Sequence, residues 1–226
     1  YTNSTLTTGS AMIASGNNAS AEVKLEQTSF TGNADIDIGQ GQNTTTGLTL
    51  SNHSSVNANG SMSVAKGEKT KANVDMSGGS ALSAGSLSIG EGNASGSTLS
   101  GTDATLTTTK ELVVAKGEGA TAKLNYTNST LTTGSAVIAS GNNAGADVKL
   151  EKSSFTSKGD MIIGQGTGSS ATMESNNTLI SAQGRYVAAQ GNNATASLKY
   201  NNTDITVGGA VLGAGEGAKA TLDFNN

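Results

Sequence analysis

The residues able to do chemistry are few, and most stand alone. Asp35 and Asp37 lie two apart in the run Asp35-Ile36-Asp37-Ile38. Two carboxylates on one strand face are the kind of pair that acid–base cleavage of a polysaccharide uses. Alternation puts Ile36 and Ile38 inward, so both carboxylates are expected outside and open to water, without the shifted pKa such work needs. A later near-copy of the stretch reads Asp160-Met161-Ile162, so the pair is not repeated. His53, the one histidine, sits in Ser51-Asn52-His53-Ser54 and reads as a solvated turn residue. With one arginine, Arg185, and no cysteine, the sequence offers neither a triad nor a thiolate zinc site. The glycine-rich stretch 164–170, GQGTGSS, lacks the Gly-Lys-Ser/Thr ending of a phosphate loop, and no GGxGxD calcium repeat occurs. The expectation is therefore a protein without catalytic residues, cofactor or metal, and not an enzyme.

Composition narrows the class further. Thr, Ser, Asn and Gly supply 112 of the 226 residues, while apolar residues reach 34%, and Pro, Cys and Trp are absent. Globular enzymes of this length carry about 45–50% apolar residues. Disorder favours high net charge and Pro-rich tracts, and here the net charge is −4. A mildly acidic chain cannot lay a basic stripe along phosphates, so no nucleic-acid partner is expected. No apolar run approaches the ~18–20 residues of a membrane-spanning helix, so no membrane insertion by this segment is expected.

The elements that must position these residues come from a repeat. Residues 1–41 and 126–166 match at 31 of 41 positions without a gap. Within that long unit, Gly16, Gly41, Gly67, Gly92, Gly117, Gly141, Gly166, Gly191 and Gly215 recur at spacings of 24 to 26. Seven residues after each stands an apolar residue, running from Val23, Leu48 and Val74 to Leu222; two before each the residue is always Ala or Gly. Apolar residues within a unit alternate with polar ones, which means short strands too polar to stand alone. Stacked in register they bury one continuous column. The predicted fold is all-β: a single-stranded right-handed parallel β-helix (β-solenoid) of about nine coils of ~25 residues, three short strands per coil, over residues 1–226 as one segment. The handedness rests on the general preference of parallel crossovers. The recurring GNNA and GEGA runs are expected to be tight corners where Gly and Asn adopt positive φ.

The charges agree with that register. Lys149, Glu174, Lys199 and Asp223 alternate in sign at equivalent positions, as do Lys66, Glu91 and Lys116; residues stacked on neighbouring strands attract when opposite. All seven aromatics, Tyr1, Phe30, Tyr126, Phe155, Tyr186, Tyr200 and Phe224, fall at inward positions, which disfavours glycan binding by ring stacking. What remains is a polar wall suited to many weak contacts repeated along an axis. The candidate patch for self-association or adhesion is the charged corner of the third and fifth coils: Lys66, Glu68, Lys69, Lys71, Lys116 and Glu118. Outward Thr pairs, as in Thr105-Leu106-Thr107, recur in three coils only, which makes an ice-binding solenoid the weaker alternative.

The units, in phrases such as LVVAKGEGATAKL (112–124), MIIGQGTGSSATM (161–173) and SLSIGEGNASGSTL (86–99), resemble the Gly- and Thr-rich repeats of AIDA-type autotransporter adhesin passengers of Gram-negative bacteria. The resemblance covers the whole chain. It implies a segment of a longer passenger secreted to the bacterial cell surface by type V secretion, with a Sec signal upstream and an outer-membrane β-barrel after Asn226. It further implies adhesion, self-association and biofilm formation, with partners being the same protein on neighbouring cells or host and abiotic surfaces. A passive stalk presenting another domain is the alternative.

Overall fold

After each repeat glycine, seven residues alternate polar and apolar. In the computed structural model, which describes residues 1–225, these sevens become one seven-residue strand in every coil. Ser20–Glu26, Thr45–Ser51, Lys71–Ser77, Gly96–Thr102, Thr121–Thr127, Gly145–Glu151, Ser170–Asn176, Thr195–Asn201 and Lys219–Asn225 form one nine-stranded parallel sheet in sequential order. Its outer surface is called the long face below. The inner residues Val23, Leu48, Val74, Leu99, Leu124, Val148, Met173, Leu198 and Leu222 are paired one to the next through all nine strands. The molecule is thus a parallel β-solenoid of about nine coils whose core is a stack of equivalent side chains.

The second and third strands of the coils make a further sheet of fourteen strands. In five coils they are separate, as in Thr105–Thr108 and Glu111–Val114. In four coils (Ser55–Val64, Ala81–Ile89, Leu179–Ala188 and Asp204–Leu212) they run on as one strand, which the three-strand expectation missed. Two of these long strands carry register shifts, after Ala58 and after Ala182. Each shift is caught by a carboxylate of the coil before: the Ser61 and Arg185 backbone N–H groups donate to Asp35 and Asp160 at 2.7 Å.

Corners are set by left-handed residues, in three columns per coil. One column is largely Asn, as at Asn3, Asn52, Asn128, Asn177 and Asn202; a second holds Ala14, Ala65, Ala115, Ala139 and Ala189 with Gly at the other coils. The third follows the repeat glycine by two and includes Asn18, Asn143, Asn193, Gly119 and Gly217. The GNNA and GEGA corners therefore do contain positive φ, but not at the repeat glycine itself. That glycine is required by stacking: a Cβ on Gly41, Gly67, Gly92 or Gly117 would collide with the carbonyl oxygen of the repeat glycine one coil earlier. Only Gly16, in the first coil, has open space.

Part of the Ser and Thr content lies inside. At seven corners after a long-face strand a hydroxyl closes its own turn, Ala104 standing in its place at another, and Ser54, Ser129 and Ser153 also accept from the coil before. Ser129 Oγ donates to Thr127 O at 2.7 Å and accepts from Ala104 N at 3.0 Å; Ser153 Oγ donates to Glu151 O and accepts from Ser129 N. Buried backbone groups that a bent chain leaves without ladder partners are satisfied this way.

Candidate functional site

The charged corner is assembled as the alignment implies, in the turns that lead into the long face. Lys66, Glu68 and Lys69 occupy the turn between Ser55–Val64 and Lys71–Ser77, where Lys71 opens the strand; Lys116 and Glu118 occupy the same turn two coils on. Most of these charges are already committed. Lys66 Nζ donates to Asp37 Oδ2 at 2.7 Å, Lys116 Nζ pairs with Glu91 at 2.8 Å, and Lys69 pairs with Glu68 at 3.2 Å. Glu118 donates its backbone N–H to Asn93 Oδ1. Lys71 makes no ion pair among the described residues.

The local electrostatics follow from these contacts. The hydrogen bond to Asp37 holds the Lys66 ammonium above its ordinary 10.5, against partial burial. Burial pushes the Glu91 carboxyl up, but a hydrogen bond from Lys116 and the positive charges of Lys116 and Lys66 outweigh it and hold the group below its ordinary 4.5. The backbone N–H of Arg185 and its guanidinium, at 2.8 Å, hold Asp160 below the usual carboxylate range.

Two expectations require correction. Asp37 does not stand open to water: it is 8% exposed, because Lys66 of the next coil folds down over it. Its outward column continues as Ser63, Ser88, Val113, Val137, Ile162, Val187 and Val211, and Val113, Val137 and Val187 are also buried. In the interior coils this outward column is therefore buried or half-buried rather than solvated. Asp35 does remain exposed. The second correction concerns the aromatics. All follow inward columns, but Tyr1 is 71% and Phe224 58% exposed, since the end coils have a neighbour on one side only; Phe224 packs on Tyr200 at 5.2 Å between ring centroids.

The charge ladders stack as expected but pair unevenly. Lys149, Glu174, Lys199 and Asp223 are register partners in succession, yet only Lys199–Glu174, at 3.9 Å, is in ion-pair range; Lys149 leans toward Asp147 on its own strand. His53 is exposed in a left-handed turn. Thr105 and Thr107 stack on Thr130 and Thr132, but Ala81, Leu179 and Asp204 interrupt the same column.

One feature escaped the sequence reading. Across the long face runs a furrow of about 740 Å³, reaching from Thr45 to Thr172 and lined by Lys71, Thr98, Lys123 and Asp147 among others. Its signal in the sequence was the presence of glycine at outward strand positions, Gly96 and Gly145, where neighbouring coils carry Lys71, Thr121 and Ser170. No family model, no curated protein and no solved structure matches the chain.

Proposed function

We propose that this chain is a stretch of a bacterial surface passenger, exported to the cell exterior and carried by an outer-membrane barrel, that mediates adhesion by lateral association of rods on facing cells. The observation carrying this reading is the repetition of the long face: nine parallel strands turn Ser, Thr, Asn and paired charges outward in the same columns. Contacts worth little singly gain strength when they recur along an axis and engage together. Displaying the full-length protein on non-aggregating cells tests it, with settling of the culture as the expected result. A second reading, a passive stalk, is favoured by the internal pairing of Lys66, Lys69 and Lys116, which leaves the charged corner with few free charges. Cells that neither settle nor attach to surfaces would support the stalk.

A further inference from the structure

The glycines of the solenoid fall into groups with different causes. Nine of the 31 have positive φ, and at sixteen more a Cβ would come within 3.0 Å of a neighbouring atom. Six have neither reason, and three of these, Gly9, Gly16 and Gly209, lie in the first or last coil. The other three, Gly47, Gly96 and Gly145, sit in interior coils, and all three face outward on the long face. A Cβ on Gly96 or Gly145 would meet only the Thr121 side chain, at 3.5 and 3.7 Å. Glycine weakens a strand, and within one it commonly marks close approach by another group.

Gly96 and Gly145 line the furrow, on either side of Thr121 in one outward column. Lys71 precedes Gly96 in that column, after Thr45, and Lys123 stands in the next, followed by Asp147. Lys71 and Lys123 make no ion pair among the described residues, and Lys149, at the furrow's side, is 4.0 Å from Asp147. Three ammonium groups against one carboxylate give this furrow a positive balance on a chain of net charge −4. Thr98, Thr121, Ser170, Thr172 and Asn73 add hydroxyl and amide groups along it.

We infer that this furrow binds an extended acidic polysaccharide, laid along the rod axis with its rings over the bare backbone at Gly96 and Gly145 and its carboxylates toward Lys71, Lys123 and Lys149. The furrow crosses five strand-to-strand steps, ~24 Å at the usual spacing, so the ligand is a chain and not a single sugar. A peptide main chain would find no free backbone groups to pair with here, and so could not add as a strand. The strands beneath are hydrogen-bonded on both sides, and besides the Asp147 carboxylate the polar groups that face outward are side-chain hydroxyls, an amide and ammonium groups. A polyhydroxylated anion matches that set, and it needs no exposed aromatic platform. The inference does not rest on rod-to-rod association, and it is tested on dispersed protein rather than on cells.

The test is calorimetric titration of the purified 226-residue chain with polygalacturonate, neutral dextran and poly-glutamate, at low and high salt. Polygalacturonate is expected to bind and to weaken with salt, and dextran is expected not to bind. Two double variants separate the parts. K71Q/K123Q should lose at least tenfold in affinity. G96T/G145T should also lose at least tenfold while melting at the same or a higher temperature, since Thr already stands in this column at Thr121 and Thr195. Absence of polygalacturonate binding would overturn the inference. So would affinity unchanged in the glycine variant, or poly-glutamate binding as tightly as polygalacturonate.

Discussion

Ala115, Ala139 and Ala189 combine two demands that few residues meet together: left-handed backbone and complete burial. Left-handed φ costs a side-chain-bearing residue about 1–2 kcal/mol, and overfilling a packed site costs about 1–3 more. This is the physical content of the rule that Ala or Gly stands two before each repeat glycine. Ala139→Val is expected to destabilise the chain by about 3 kcal/mol, read from denaturant midpoints. Tyr126 offers the opposite case. Its ring fills the space that a side chain at Gly101 would take, but its hydroxyl is buried without a partner, and burial raises its pKa far above the ordinary value. Tyr200, by contrast, shares a hydrogen bond with Tyr186, and burial pushes its pKa up to about 12. An unsatisfied buried hydroxyl costs about 1–3 kcal/mol. Tyr126→Phe should therefore stabilise, and Tyr200→Phe should destabilise by leaving the Tyr186 hydroxyl with only the weak acceptor Met173 Sδ, at 3.9 Å. The repeat made the Ala/Gly rule visible in the sequence, but not its cause, because φ and burial at a corner depend on the coil before.

At the scale of strands and turns, the alternation of apolar and polar residues settled which side chains face the core, and every inward column from Val23 to Leu222 follows it. The outward side was less legible. Asp37 was expected in water because it alternates with Ile36 and Ile38, yet the lysine that covers it arrives from another coil, 29 residues away. The ladder Lys66, Glu91, Lys116 likewise predicted axial pairing, and only the Glu91–Lys116 half forms. Glu91 has a depressed pKa, so its contribution to stability is complete above the ordinary 4.5 and fades as pH falls toward the depressed value. Lys116→Met should raise the Glu91 titration midpoint, followed by NMR of the side-chain carboxyl, and should shift acid unfolding to higher pH. An unmoved midpoint would show that the pair does not form in solution.

Over the whole molecule, exposed large apolar residues concentrate at the two ends: Tyr1, Leu6 and Met12 in the first coil, Val211, Leu212 and Phe224 in the last. The end strand Lys219–Asn225 has a neighbour on one side only, and Ser20–Glu26 is met on its outer side only near its C-terminal end, where Thr2 bridges Glu26; such edges recruit further strands. Stacked head to tail, Asp223 would meet Lys24, continuing the alternation Lys149, Glu174, Lys199, Asp223. The 226-residue chain is thus expected to form end-to-end oligomers whose sedimentation rises with concentration, and Asp223→Lys should reduce them. The central claim, that equivalent residues of successive coils lie over one another, is tested most directly by spin-label distances within one outward column. Labels at Thr49 and Lys149 are separated by four strand steps, and labels at Thr49 and Lys199 by six. At ~4.8 Å per step these pairs should lie ~19 and ~29 Å apart between backbones, increasing in proportion to coil number. Equal, broad or non-proportional distances would contradict the stacked register and everything built on it.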